Sequence, residues 1–200
     1  MKQKWAGLMQ KAAVIRRLAI DLLPLDLIRF ARFTNETGSE GLGMAYDVRS
    51  VANELLRIAK HRGIALTNMQ VQKLVYIAHG YSLAILHRGL FRQPVEAWRW
   101  GPVIQDLYHS LRRYGSGIVT DTIPILNMDS LTETDRKLIE KVLDAYGRFS
   151  GPQLSTMTHK EGTPWYEVYR PNISGLTISN PAIERHYTGL LNARAGIAAN

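Results

Sequence analysis

Histidine is the side chain best suited to acid–base or metal chemistry near neutral pH, and this 200-residue chain contains six. They stand at positions 61, 79, 87, 109, 159 and 186. No His-Glu-x-x-His sequence is present, and His79 and His87 lie about two helical turns apart, too far to bind one metal ion directly. The chain has no cysteine, which excludes disulfides, thiolate zinc sites and cysteine nucleophiles. The sequence therefore predicts no metal site.

The other common catalytic patterns are also absent from the sequence. There is no Gly-x-x-x-x-Gly-Lys-Ser/Thr loop for phosphates, no Gly-x-Gly-x-x-Gly turn and no Gly-x-Ser-x-Gly nucleophile turn. Paired carboxylates on one helix face, which acid–base catalysis uses, are missing as well. We predict that the protein has no catalytic residues, uses no cofactor and is not an enzyme.

Two short segments combine residues that structure or function could use. The first is WRWGPV at 98–103, and the second is THKEGTPW at 158–165. The structural interpretation is a strand-to-helix turn whose indoles fill the edge of a core, and a helix end where His159 caps backbone carbonyls. A competing hypothesis is an enzyme pocket built from residues 98–103 and His159. That hypothesis requires a concave site that includes His159.

Helical periodicity with capping residues dominates the chain after Tyr46. Apolar residues at helical spacing over 48–59 predict one helix, which should end at Arg62-Gly63. Thr67-x-x-Gln70 is a capping box for a second helix, which should continue to about Arg88 with Gly89 as its C-cap. This second helix is apolar nearly all round, as expected at the centre of a core. Lys73 lies within it and needs an acidic or carbonyl partner.

The remaining elements are shorter. Alternating residues predict a strand over 95–100, and Gly101-Pro102 should start a helix, because proline is favoured at the first helical position. Residues 122–126 could form another strand. Further helices are predicted after Thr132, over 150–159, near Pro164 and after Asn180. The predicted fold class is all-α: a mainly helical single domain with at most a small β-hairpin-like element.

The chain divides near residue 43. Residues 34–43 contain three glycines and small polar groups without periodicity, as linkers do. We predict an N-terminal amphipathic helical extension plus linker over 1–43, the main domain over 44–192 and a frayed tail over 193–200. Three roles remain open for the extension: packing on the main domain, docking to a partner or membrane surface, or an addition of little consequence to a chain whose translation starts at Met44.

Charge and hydropathy bear on location and partners. The formal net charge is +8, which raises nucleic acid as a partner, but the longest basic runs are only pairs. Direct DNA binding is therefore possible but not favoured. No apolar run reaches the roughly 20 residues that a membrane span needs, and the N-terminus lacks the unbroken apolar centre of a signal peptide. We predict a cytoplasmic protein with no membrane span.

The ordered motifs over roughly residues 44–190 resemble the Panacea antitoxin domain family, which includes SocA-like and phage-associated GepA-like proteins. The matching segments begin with YDVRSVAN at 46–53 and LTNMQVQKLVY at 66–76. The individual signature residues are Thr67, Gln72, Lys73, Glu96, Trp98, Gly101, Pro102, His159, Pro164 and Trp165. The resemblance implies an all-α domain and an antitoxin that is encoded beside a toxin, often on a prophage. It also implies neutralisation by direct binding, or delivery of the toxin to a ClpXP-type protease, without catalytic residues.

The leading hypothesis is thus an antitoxin that binds a cognate protein toxin, and the alternative is a nucleic-acid-binding transcriptional regulator of a mobile element. Exposed aromatics and arginines are favoured anchors in protein interfaces. The predicted partner-binding residues are Trp100, Tyr108, Arg112 and Arg113. Trp98, by contrast, is predicted to lie in the core, because it points opposite to Arg99.

Overall fold

The computed structural model describes residues 25–36 and 45–198. Its helices are α1 (Leu25–Glu36), α2 (Val48–His61), α3 (Asn68–Leu86), α4 (Gln105–Leu111), α5 (Glu133–Tyr146), α6 (Gly151–His159), α7 (Pro164–Val168) and α8 (Asn180–Ala198). The strands are β1 (Val95–Trp98), β2 (Gly101–Ile104) and β3 (Thr177–Ile178), and a 3₁₀ turn covers Arg112–Tyr114. The prediction of a mainly helical domain with a small β element is confirmed.

Helix α3 is the centre of the molecule. Fifteen of its 19 residues are buried, which agrees with its lack of a polar face. The other helices that contact it are α1, α2, α4, α5, α6 and α8, and strand β2 contacts it as well. The residues of α3 therefore face every layer of the fold, and this position lets a polar side chain on α3 hold a neighbouring element in place.

The predicted caps explain where the helices begin. Thr67 and Gln70 form the expected capping box of α3, since each side chain binds the backbone N–H of the other residue. Thr132 caps α5 by accepting a hydrogen bond from the backbone N–H of Asp135. The end of α3 differs from the prediction. The helix stops at Leu86, and His87 takes the left-handed conformation (φ 52°) that was expected of Gly89.

The small sheet corrects two further predictions. Strands β1 and β2 form an antiparallel hairpin in which Trp98 pairs with Gly101, and β3 adds to the other edge of β1. Pro102 therefore lies in a strand, and the following helix starts only at Gln105. Proline is tolerated there because β2 is an edge strand. Residues 122–126 form no strand.

Helix α1 packs on the main domain. Leu27 and Phe30 are buried in the common core, and the helix contacts α3 and α5. The helix continues through Glu36, so residues 34–36, predicted as linker, are helical. The first part of the predicted extension, residues 1–24, lies outside the described residues, as do 37–44. Among the described residues, no helix is both long and apolar enough to cross a membrane.

Gly80 permits the close contact between α3 and α8. A Cβ at this position would lie 2.2 Å from the ring of Tyr187, which is buried on α8. Tyr187 also contacts Tyr76 and Tyr81 edge-to-face, so its ring has little freedom to move away. The absence of a side chain at Gly80 is therefore a packing requirement.

We predict that Gly80→Ala lowers the free energy of unfolding by about 3 kcal/mol, because overpacking displaces the Tyr187 ring. Urea unfolding of both proteins measures this value. The matched control is Gly189→Ala on α8, where a Cβ meets no atom within 4 Å. At Gly189 the substitution should raise the free energy of unfolding by about 0.5–1 kcal/mol, because alanine is more favourable than glycine within a helix. Equal effects at the two positions would contradict the packing argument.

We also propose that residues 44–200 fold without residues 1–43, but with lower stability. Removing α1 uncovers the core contacts of Leu27 and Phe30. The expected fall in Tm is about 5–10 °C, based on the apolar area lost. Thermal unfolding of the full and shortened chains tests this proposal. A shortened chain that is unfolded would refute the domain boundary, and one of unchanged Tm would refute the role of α1.

Candidate functional site

Four side chains, which we call the carbonyl ladder, hold the segment 98–104 by hydrogen bonds to its backbone. The segment comprises the last residue of β1, the hairpin turn and β2. Every second backbone carbonyl in this segment accepts a hydrogen bond from a buried side chain of a surrounding helix. The Trp165 indole donates to Trp98 O (2.7 Å), the Ser155 hydroxyl to Trp100 O (2.7 Å), the Lys73 ammonium to Pro102 O (2.8 Å) and the Gln72 amide to Ile104 O (3.3 Å). Helices α3, α6 and α7 therefore fix the hairpin in place.

Gln72 completes the free edge of the sheet. Its amide nitrogen donates to the carbonyl of Ile104, and its amide oxygen accepts from the Ile104 N–H (3.2 Å). The side chain thereby makes both bonds that a further strand would make. Because β2 is an edge strand, its backbone groups would otherwise be buried without partners. This arrangement gives a physical reason for glutamine at position 72.

Lys73 is 2% exposed, and Pro102 O is its hydrogen-bond partner. The prediction that it needs an acidic or carbonyl partner is confirmed, and the partner is a carbonyl. Burial lowers the pKa of Lys73 from 10.5 to about 7, because the charged ammonium is removed from water. Gly101 leaves room for it. A Cβ at Gly101 would lie 2.8 Å from Lys73 Nζ, and the φ of +102° at Gly101 is strained for other residues.

Other residues that carry the resemblance lie in the hairpin or beside the side chains that hold it. The Trp98 indole donates to the Glu96 carboxylate (2.8 Å) on the same face of β1. Pro164 begins α7 and so places Trp165 beneath the hairpin. His159 contacts the edge of the Trp165 ring, with the ring centroids 5.0 Å apart, and its Nδ1 bonds the carbonyl of Ser155 in its own helix. The structural interpretation of residues 158–165 therefore describes the contacts that are seen.

A cavity of about 760 Å³ lies beside this hairpin, between the start of α3, helix α4 and the start of α6. Its walls include the apolar and aromatic residues Met69, Trp98, Trp100, Val103 and Tyr108. Gln70 connects two of the walls, because it caps α3 and also donates to the carbonyl of Phe149 (2.9 Å). His159 does not line the cavity, so the arrangement lacks the residue that the enzyme hypothesis requires.

Large apolar side chains are exposed around the cavity. Trp100 is 60% exposed, and Met69 and Tyr108 are each 37% exposed. Trp98 meets Tyr108 edge-to-face, with the ring centroids 4.9 Å apart. The prediction that Trp98 lies in the core is wrong. Strand β1 buries Val95 and Ala97 on one face, so Trp98 lies on the other face and is half-buried against the cavity.

The four predicted partner-binding residues divide into two pairs. Trp100 and Tyr108 line the cavity, whereas Arg112 and Arg113 are exposed on the 3₁₀ turn after α4 and do not line it. Arg113 forms an ion pair with Asp121 (3.2 Å). Sequence reasoning missed Met69 and Arg148 as lining residues. Met69 lies two residues after the predicted cap Thr67, and Arg148 lies two residues before the helix predicted over 150–159, but no local pattern indicates that the starts of these helices meet.

The side chains around the cavity include apolar, polar and basic groups. Within 25–36 and 45–198, no three histidine or carboxylate side chains are grouped as metal ligands would be. The cavity walls are mainly apolar, and some of their polar groups already serve the fold. Gln72 and Lys73, for example, both bind the backbone of β2. A fixed apolar depression of this kind is suited to receiving a partner's side chain.

Comparison with known proteins agrees with the resemblance seen in the sequence. The family model described as "Antitoxin SocA-like, Panacea domain" matches residues 71–166. The Antitoxin SocA of Caulobacter vibrioides is 35% identical in an alignment 128 residues long, and the alignment covers 60% of this chain and 68% of that protein. No solved structure matches the chain. All four side chains of the carbonyl ladder lie within the matched residues.

The buried Lys73 should make stability depend on pH. The unfolded chain keeps the Lys73 proton up to about pH 10.5, whereas the folded chain loses it above about pH 7. The unfolded state therefore binds more protons between these values, and stability rises with pH through this group. The wild type therefore gains stability between pH 7 and pH 9, and Lys73→Met does not gain it through this group. The free energy of unfolding of Lys73→Met, relative to that of wild type, should fall by about 2 kcal/mol from pH 7 to pH 9.

Urea unfolding of wild type and Lys73→Met at the two pH values measures this difference. The substitution also leaves the Pro102 carbonyl without its donor, a loss that is the same at both pH values and so cancels. Lys60→Met removes an exposed lysine and is the matched control, with no expected change between the two conditions. A difference for Lys73→Met that is independent of pH would contradict the lowered pKa.

Proposed function

The chain belongs to the SocA-like Panacea family of antitoxins, and we propose that it neutralises a cognate protein toxin by binding that toxin directly. The observation that carries this proposal is the aromatic rim of the cavity. Trp100 and Tyr108 expose apolar surface at the mouth of an apolar depression. Tryptophan and tyrosine next to a depression are typical of the residues that dominate protein interfaces.

The rigid support of the hairpin favours tight binding. The exposed Trp100 side chain lies at a two-residue turn, but its own carbonyl is bound by Ser155 and the next strand is bound by Lys73 and Gln72. A partner that binds the rim therefore meets side chains whose backbone is already ordered. Preorganisation of this kind strengthens binding, because less conformational entropy is lost in the complex.

Arg112 and Arg113 directly follow α4, which carries Tyr108. They could extend the interface beyond the cavity, and arginine is a favoured residue in such positions. Delivery of the toxin to a ClpXP-type protease would use the same first step, namely recognition of the toxin by this surface. A DNA-binding regulator remains the alternative function, for which the net charge of +8 is the supporting observation.

We predict that coexpression of this protein restores growth to cells that express the toxin encoded beside it, and that the two proteins copurify. Trp100→Ala should weaken the complex by about 2 kcal/mol or more, the range of an interface hot spot, and should reduce the rescue. Arg112→Glu tests the extended surface in the same assay. Growth curves and copurification yields give the result.

Leu126→Ala is the matched control, because Leu126 is fully exposed, apolar and outside the cavity. It should leave rescue unchanged. Unfolding curves confirm that each variant is folded. Loss of toxin without a stable complex would indicate delivery to a protease. Growth rescue with neither association nor degradation of the toxin would refute the proposal, as would a neighbouring gene product that is harmless alone.

A further inference from the structure

The charged residues on the cavity wall are all of one sign. Arg99, Arg148 and Lys73 line the cavity, and none of the described residues that line it is an aspartate or glutamate. Glu96 binds the Trp98 indole but is not part of the lining. The apolar depression is therefore bordered by two arginine charges and by the ionisable Lys73, and this charge constrains what can occupy it.

The two arginines at the mouth are available to a partner. Arg99 lies over the Trp100 ring, with its guanidinium carbon 4.9 Å from the ring centroid, and Arg148 lies in the same way over Phe149 at 5.0 Å. Both arginines are exposed, and neither forms an ion pair within the described ranges 25–36 and 45–198. Their stacked arrangement leaves the N–H groups free, and a guanidinium binds a carboxylate with two parallel hydrogen bonds.

Lys73 adds to this preference from the inner wall. Its hydrogen bond to Pro102 uses one of the three N–H donors of the ammonium, and the partner is neutral. Because burial lowers the pKa of Lys73 to about 7, this side chain is only partly charged at neutral pH, and a negative charge that enters the same low-dielectric space would favour its charged form. A positive group in the cavity would be repelled by Arg99 and Arg148 and would disfavour the charged form of Lys73.

We propose that this cavity receives a segment of the toxin in which a large apolar side chain is flanked by a carboxylate. The apolar side chain fills the space between Met69, Trp98 and Tyr108, and the carboxylate pairs with Arg148 or Arg99 at the mouth. This inference rests on the proposed toxin-binding function and adds the chemistry of the partner. It also explains why rim arginines accompany exposed aromatics here.

Two blocked peptides of equal apolar content test the preference on the full-length protein: acetyl-Asp-Leu-Phe-Glu-amide and acetyl-Lys-Leu-Phe-Lys-amide. The indole N–H signals of Trp98 and Trp100, assigned by single substitution, are followed by NMR during titration. The acidic peptide should shift both signals in a saturable way, and the basic peptide should not. Arg148→Glu and Arg99→Glu should each weaken the acidic peptide about fivefold, the upper end for an exposed ion pair.

Arg185→Glu provides the matched control, because Arg185 is exposed on α8 and lies outside the cavity. Acidic-peptide affinity should be unchanged in this variant. The inference is overturned if the basic peptide binds as tightly as the acidic one, if neither peptide shifts the two indoles, or if Arg148→Glu and Arg99→Glu behave like Arg185→Glu. Growth rescue without acidic preference would overturn this inference alone. Acidic preference without rescue would support it and refute the proposed antitoxin mechanism.

Discussion

One edge of β2 has no neighbouring strand, and the need to hydrogen-bond the backbone groups at this edge and in the hairpin turn governs this structure. The hairpin is buried on its inner side, where an unpaired carbonyl costs about 1–3 kcal/mol. Side chains from three helices supply the missing donors, and Gln72 and Lys73 supply two of them from adjacent positions on α3. Among the residues that carry the family resemblance, Gln72, Lys73 and Trp165 are thus donors, and Gly101 makes room for one of them.

This constraint also limits which residues can occupy the start of β2. Gly101 must lack a side chain because the Lys73 amino group occupies the adjacent space. Pro102 has no N–H to donate, and it is tolerated because its strand lies at the edge of the sheet. The arrangement requires burial of a lysine, which is unfavourable for the charged ammonium. Because Lys73 also lines the cavity, its protonation affects both the stability of the fold and the charge of the proposed recognition surface.

A binding surface needs side chains that are free to contact a partner and a backbone that stays in place. In the proposed function the carbonyl ladder holds the backbone, and the contact surface consists of side chains that the ladder leaves exposed, including Trp100 and Arg99. The hydrogen bonds of the hairpin go mainly to backbone atoms, so residues at its tip can change without loss of these bonds.

The sequence alone was sufficient for the features that depend on local interactions. The capping box at Thr67 indicates where α3 begins, because caps act within four residues. The helix predicted over 150–159 is also present, and the structure shows that a capping box at Ser150 begins it. The all-round apolar character of α3 identified it as the central helix, and the burial of Lys73 followed from its place in that helix.

Only the tertiary structure decided that Gly101-Pro102 forms a strand, because the donors that stabilise it come from residues 29 to 32 positions earlier in the chain. The same holds for Trp98, whose orientation depends on which face of β1 meets the core. The cavity joins Met69, Tyr108 and Arg148 from three distant segments, and their proximity is set by packing around α3. Local patterns specify helices through nearby backbone contacts, whereas a binding surface arises from contacts that no local pattern encodes.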